Sequence, residues 1–480
     1  MNTFIDIIVF ITMFFERTMM SINLFSNYPL SWKPVKATLT RPYYQGLARQ
    51  MRADINNGLL LPGTKLPPQR ELADYLDVGF TTITRAYKLS QAEGLTYGVV
   101  GKGTYVSPNV KTDLTITHQD NKNIQELGFV SSFESENGAL QSTIINITKQ
   151  KKFAELLNYE HPTGMPRHKK IATRYLREIG MNVNQQNTLI ASGGQNALTI
   201  TLLGLFNPGD KIIVDQFTYV NFIELCRLRG VKLIPIPSDN DGIRSDLMLK
   251  ACQNDVIKGI YLMPDCNNPT TEIITLSRRK EIATIIKHYD LTFIEDDYAN
   301  FLNLFREVPV IKLSELVPEN SVYICSMSKP LASGLRVAFM RVPDRYKLQI
   351  ELAMFNSNVK TSALDAAIVA EALENGTANK IMHRKINKLL VANQIFDRVF
   401  EQQVNAYNAT SFFRPLHLKS KQRGDELEKL CLDNGIRIFH SDRFLVGPRP
   451  DNSFLRVSLS AVEEINDLTT ALERLKSIIL

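Results

Sequence analysis

A two-part chain is predicted, a small α+β module followed by a large α/β domain. Three observations carry this. The 480 residues exceed one ordinary domain of roughly 100–200 residues. Residues 39–107 crowd short helical patterns between Gly and Pro, whereas from about 125 onward short apolar runs alternate with amphipathic stretches. Between them 108–124, PNVKTDLTITHQDNKNI, is polar, opens on Pro and lacks periodicity, so a linker is expected there. With 44% apolar and 22% charged residues, a disordered or fibrous chain is excluded. The net charge of +7 is mild for this length and by itself requires no polyanion.

Residues 1–38 read as an N-terminal extension. The run FIDIIVFITMFF at 4–15 is interrupted by Asp6 and falls short of the roughly 20 apolar residues a membrane span needs. Arg17 follows the run instead of preceding it, unlike a secretory signal. An over-extended start is expected, with Met19 or Met20 as the true first residue and no membrane association.

In YYQGLARQMRADINN (43–57) Tyr44, Leu47, Met51 and Ile55 share one helical face, and Gly58 ends the helix. LLLPGTKLPPQ is a turn-rich connection to a second helix, RELADYL (70–76), which buries Leu72, Ala73 and Leu76. After Asp77–Gly79 a third helix, FTTITRAYKLSQAEG (80–94), turns Ile83, Ala86 and either Leu89 or Tyr87 inward. Two short helices joined by a tight turn match a helix-turn-helix reader. LTYGVVGKGTYVSP (95–108) forms two β runs around Gly101-Lys102-Gly103, a hairpin wing able to lie along DNA. Arg49, Arg52, Arg70, Arg85 and Lys102 are the candidate phosphate contacts; Thr81, Thr82 and Thr84 are candidates for phosphates or base edges.

This string, LPGTKLPPQRELADYLDVGFTTITRAYKLSQAEGL…GKGTYV, resembles the winged helix of GntR-family transcription regulators. The family's small hydroxyl residue and Arg at the start of the recognition helix are Gly79 and Phe80 here.

In the large part, KIIVD (211–215), KLIPI (232–236), GIYLMP (259–264), LTFIEDD (291–297) and SVYICS (321–326) read as strands, and LSRRKEIATIIKHYD (276–290) as a helix between two of them. Alternation of this kind implies a mostly parallel sheet covered on both faces, with ligands beyond the strands' carboxyl ends. Four motifs sit there. SMSKP (326–330) places Lys329 after a strand, seven residues ahead of Arg336, where a desolvated amine could form a Schiff base and an Arg could hold a phosphate. ASGGQNALTI (191–200) sets glycines before a helix whose amides form an anion site. IEDDY (294–298) ends a buried strand in carboxylates, suited to keeping a pyridine nitrogen protonated. DCNNPT (265–270) offers an Asn amide to a phenolic oxygen.

This order is similar to that of the aspartate-aminotransferase-like, fold type I family of pyridoxal 5′-phosphate (PLP) enzymes, over 125–480. The resemblance implies Lys329 as the Schiff-base lysine, with Ser326, Arg336 and the amides of Gly193, Gly194 and Gln195 on the phosphate. It implies Asp296 on the pyridine nitrogen, Asn268 and Tyr298 on the ring's O3′, and Tyr219 stacked on the ring. Tyr159 would be lent to a second subunit's phosphate, and Arg456 would hold a substrate carboxylate. Thr271, Cys325 and Phe217 depart from the family's Gly, Gly and Pro.

A winged helix-turn-helix (α+β) joined through a linker to an α/β PLP-dependent transferase domain is the plan of MocR-type regulators. The resemblance implies a homodimer that binds double-stranded operator DNA and senses an amino acid or amine through PLP. A working aminotransferase with an accessory DNA-binding domain, and a cofactor-free DNA-binding scaffold, stay open as alternatives. Five cysteines without a CxxC pair point to a reducing, cytoplasmic setting. The seven histidines lack metal-ligand spacing, so no metal site is expected.

Overall fold

The computed structural model describes residues 30–57, 59–99, 101–107, 124–159, 161–306, 310–401, 410–418, 424–451, 453–462 and 465–479. The apolar run at 4–15, Gly58 and nearly all of the expected linker lie outside them. The chain divides into two compact units after Thr112.

In the first unit three helices, α1 (Tyr43–Asn56), α2 (Gln69–Leu76) and α3 (Phe80–Ala92), pack around Met51, Leu72, Ile83 and Ala86, all fully buried. The doubt over α3's inward residue resolves to Tyr87, whose hydroxyl donates to Pro67 O at 2.8 Å. The α2–α3 turn is tight because Asp77 adopts a left-handed conformation and the Val78 N–H returns to Ala73 O at 3.0 Å. A hairpin follows, β1 (Thr96–Val99) with β2 (Gly103–Val106), closed by the Lys102 N–H on Val99 O at 3.0 Å. Trp32 is buried in the same core and donates to Asp54 at 2.8 Å, so the packed unit begins upstream of 39, inside the expected extension.

The second unit is built on a seven-stranded sheet. Its strands are β3 (Thr188–Ala191), β4 (Lys211–Asp215), β5 (Lys232–Ile236), β6 (Gly259–Leu262), β7 (Thr292–Asp297), β8 (Ser321–Ser326) and β9 (Ala338–Arg341), in the order β3-β9-β8-β7-β6-β4-β5. From β8 to β5 neighbours run parallel; β9 is antiparallel to both β8 and β3. The five strands legible in the sequence form the parallel part, while β3 and β9 complete one edge. Apolar clusters cover both faces, which is why β6 and β8 are buried along their whole length. A three-stranded antiparallel sheet, β10 (Phe413–His417), β11 (Phe439–His440) and β12 (Phe454–Ser458) with β12 central, lies in the C-terminal part. Among the described residues no helix is long and apolar enough to cross a membrane.

Candidate cofactor pocket and DNA-reading face

Strand register assembles the pocket. Ser326 on β8 pairs with Ala338 on β9, and Ala338 pairs with Ala191 on β3. Arg336 stands two residues before Ala338 and Gly193 two after Ala191, so Ser326, Arg336 and Gly193 meet at one rim. Gly193 caps helix α4 (Gly194–Leu205) with φ +88°, and a Cβ there would lie 2.6 Å from Arg336 Nη2. Only glycine gives both the left-handed backbone and room for the guanidinium. The Gly193 N–H donates to Ala191 O at 2.8 Å. Gly193 contributes space at this rim, just ahead of the helix-start amides of Gly194 and Gln195, which have no intrahelical acceptor. A Cβ on Gly194 would come within 3.5 Å of Ser326 Cβ. Arg336 is exposed at this rim and donates to Ser328 Oγ and Ser333 O, each at 3.2 Å.

A cavity of about 230 Å³ opens beneath. Asp296, on β7 in register with Ile324 of β8, faces it and accepts a hydrogen bond from Tyr261 Oη at 2.9 Å. Burial, reinforced by Asp297 and opposed by the Tyr261 bond, raises its pKa to about 7. Lys329 enters from the turn after β8 and donates to the carbonyls of Val130 and, at 3.0 Å, Ser131. Burial first, then the cations Arg456 and Arg336, lower its pKa to about 7, with Glu134 opposing. That makes a free amine available near neutrality. Lys385, fully buried on helix α5 (Thr377–Phe400), fastens the same turn by donating to Lys329 O at 3.1 Å and to Leu331 O. Asn300 ties the ends of β7 and β8 together through Asp297 O (2.9 Å) and Ser326 O (2.8 Å). Behind Asp296, the buried Lys312 ammonium pairs with both Asp265 and Asp297, and Arg279 reaches Asp265 at 2.9 Å.

Arg456, on the central strand β12, closes the opposite wall. It is 2% exposed and lies 4.5 Å over the Phe444 ring. Nη1 donates to Asn268 Oδ1 at 2.8 Å and Nη2 to Gly128 O at 2.6 Å, while Nε has no hydrogen-bond partner among the described residues. Tyr219, Tyr298 and Gln195 line the same cavity. Gln195 Oε1 and Asn221 Oδ1 are buried without a hydrogen-bond partner among the described residues, while the Tyr298 hydroxyl is partnered by the Cys266 thiol. Such orphaned atoms each cost about 1–3 kcal/mol unless a ligand meets them, and two around one cavity match a polar ligand. Tyr159 stands apart from the cavity and is 90% exposed.

Sequence reasoning missed Tyr261, Asn221, Ser328, Phe413, Lys385 and Asn300. Tyr261 lies within an expected strand, and its polar tip beside IEDDY was the available signal. Ser328 lies inside SMSKP next to Lys329 but was given no role there; the others are brought in by tertiary packing. Of the three departures, Cys325 is a fully buried thiol inside β8, Phe217 packs edge-on against Phe454 at 5.1 Å, and Thr271 takes a positive φ of 63°.

In the first unit Arg49, Arg70, Thr81, Arg85 and Lys102 are exposed, and Thr82 is half-buried. Arg85 lies 4.0 Å over the Tyr44 ring, which aims its guanidinium along the surface of α3. Arg52 is paired with Glu93 at 2.9 Å. Thr84 donates to Gln69 at 2.7 Å, so its hydroxyl ties α3 to α2 instead of projecting outward. Residues 30–107 hold ten Lys and Arg against five Asp and Glu, which places most of the chain's net charge here.

Residues 43–106 match the family model of bacterial regulatory proteins, gntR family, and 131–475 match that of aminotransferase class I and II. The chain is 35% identical over 462 residues to the uncharacterized HTH-type transcriptional regulator YdeF of Bacillus subtilis, covering 96% of this chain and 99% of that one. An archaeal alanine:glyoxylate aminotransferase shares the fold with TM-score 0.68 at 20% identity, over 74% of this chain and 90% of its own. LysN, an α-aminoadipate aminotransferase of Thermus thermophilus solved with N-(5′-phosphopyridoxyl)-L-leucine, does so with TM-score 0.66 at 22% identity, over 75% and 92%. A gntR-family reader ahead of an aminotransferase class I and II domain places this chain among the MocR-type regulators of the GntR family.

Proposed function

We propose that the chain is a transcription regulator that binds operator DNA through its winged unit and senses an amino acid or amine through PLP held in its large unit. The carrying observation is the convergence of Lys329, Asp296 and the Gly193–Arg336 rim on one cavity, in a chain whose other unit presents a basic reader face.

The residues present fit PLP. The rim of Arg336, Ser326 and the Gly194 and Gln195 amides suits a phosphate; Asp296 suits a pyridine nitrogen; Asn268 and Tyr298 suit a phenolic oxygen. When bound, PLP supplies an aldehyde that exchanges amines and a ring that withdraws electrons. Lys329, with its lowered pKa, offers a neutral amine near pH 7. Tyr261 orients the Asp296 carboxylate, and Tyr219 covers the ring's place. Arg456 holds Nε toward an incoming carboxylate, which selects amino acids over plain amines. We further infer a cytoplasmic homodimer, in which Tyr159 is offered outward to a second copy and two readers address two half-sites. An effector shifts the reader pair only as far as it binds one arrangement better than the other.

The test is spectroscopic. Full-length protein given PLP should show a visible absorption band that borohydride bleaches, and Lys329→Ala should lack it while still binding the gene's upstream DNA. A band unchanged in Lys329→Ala would refute the assignment. Arg85→Ala should weaken DNA binding and lower its salt slope by about one, leaving the band intact. Because Lys329, Asp296 and Arg456 all stand in the pocket, amine transfer is the second reading; keto-acid release from amino acids would establish it.

A further inference from the structure

We propose that Phe80 reads the 5-methyl group of a thymine in the major groove, so that each operator half-site favours an A·T pair at that position. This deepens the DNA-reader assignment and rests on it. Among the described residues Phe80 is the one large apolar side chain exposed on the three helices of the winged unit, at 48%. It opens α3, the second helix of the helix-turn-helix, and the N-terminal residues of such a helix are those that meet base edges. Its neighbours on the outward surface are Thr81, Arg85 and Lys88, all exposed, so an apolar tip protrudes from a face otherwise suited to phosphates.

The ring has a defined posture. Arg70, exposed on α2, sits with its guanidinium 6.0 Å from the ring centroid. The first helix of this motif crosses the DNA backbone, so Arg70 is placed to meet phosphate while bracing the ring, and the ring's remaining surface is left for the groove. A phenyl ring accepts no hydrogen bond from a base and donates none. The apolar group available to it in the major groove is the thymine methyl. Thr84 does not compete for the same base, because its hydroxyl is held by Gln69. The start of α3 also lacks a side-chain cap, Gly79 making none, so this end of the helix is not shaped for maximal stability.

The test uses full-length protein and a random duplex library. Selected duplexes are resynthesised with each thymine in turn replaced by deoxyuridine, which removes only the methyl, and binding is followed by fluorescence anisotropy. One position per half-site should weaken binding about fourfold, the worth of one buried methyl. Phe80→Ala should lose that penalty at that position alone and keep the wild-type salt slope, while Phe80→Leu retains part of it. Wild-type indifference to deoxyuridine at every position, or an unchanged penalty in Phe80→Ala, would overturn the proposal and leave the DNA reader standing. Failure of the library to yield any enriched sequence would overturn both.

Discussion

The two units carry the same cations under opposite conditions. In the winged unit Arg49, Arg70, Arg85, Lys88 and Lys102 are exposed, with Arg70 and Arg85 braced by an aromatic ring and Arg49 reaching Gln45 O at 3.4 Å. In the large unit Arg279, Lys312, Lys385 and Arg456 are buried, each held by carbonyls or carboxylates. An exposed cation stays hydrated and acts on a polyanion, so its removal changes binding more than folding. A buried cation has lost its hydration, and its protonation and direction are set by its partners. Exposure leaves the reader's cations free for a polyanion, and burial fixes the charge and direction of those in the large unit.

The hardest test of that contrast is Lys312. Burial alone would lower its pKa, but Asp265 and Asp297 together hold the ammonium charged. Lys312→Met would leave two carboxylates facing one another in the interior, at an expected cost of about 3–5 kcal/mol. Urea unfolding of the large unit measures this; Arg49→Ala should stay within about 0.5 kcal/mol of wild type. Equal effects would erase the distinction.

Helix-capping glycines give the next comparison. Gly193→Ala meets Arg336 at 2.6 Å with φ +88°, so about 1–2 kcal/mol of stability and a large part of PLP affinity should go together. Gly79, capping α3 at φ −60°, has its nearest neighbour at 3.7 Å, and Gly79→Ala should cost roughly 0.5 kcal/mol. Thermal unfolding and PLP titration check both.

The pH response of Lys329 sharpens the contrast further. Because the pKa is lowered, from 10.5 to about 7, the reactive free amine exists above about pH 7 and is lost by protonation below it. Colour development with PLP should therefore rise through about pH 7 and level off above. Arg456→Gln removes the leading neighbouring cation, so the midpoint should move up, while burial, the larger cause, keeps it well below 10.5. An unmoved midpoint would assign the depression to burial and Arg336, with no share left for Arg456.

Much of this was legible before the structure because the signals are local. Strand runs that carry Asp296 and Ser326 at their ends or lead into Asn268, and glycines ahead of α4, state both their element and their end of the sheet. The winged unit was legible for the same reason, its three helices and hairpin being consecutive. What could not be read depends on partners distant in sequence. Lys385 meets Lys329 across 56 positions, and Thr84 turns inward because Gln69 waits for it. Strands β3 and β9 escaped notice although β9 brings Arg336 to Gly193; each is four residues long and, unlike the six-residue run GIYLMP that holds β6, is cut short by a polar residue, Ser192 after β3 or Arg341 at the end of β9. Trp32 lay in what read as an extension because its partner, Asp54, stands 22 positions further on, in α1.

The smallest expected effect concerns two left-handed residues. Asp77, at φ 48°, tolerates that conformation, is exposed and pairs with Lys36 at 2.9 Å. Thr271, at φ 63°, is β-branched and 1% exposed, with its hydroxyl lacking a partner among the described residues. Thr271→Gly relieves about 1–2 kcal/mol of backbone strain and removes a buried orphan hydroxyl. Against this stand a lost methyl burial of about 0.8 kcal/mol and the freedom glycine adds to the unfolded chain, about 0.5–1 kcal/mol. A net gain of about 1 kcal/mol is expected in urea unfolding, with the PLP band unchanged because Thr271 does not line the cavity. Asp77→Gly should instead lose a few tenths of a kcal/mol with its surface ion pair. If Thr271→Gly destabilised the chain, the threonine's packing would outweigh its strain, and the loop from Asn267, whose carbonyl accepts the Thr271 N–H at 2.7 Å, would be held by side-chain contacts, not by backbone geometry.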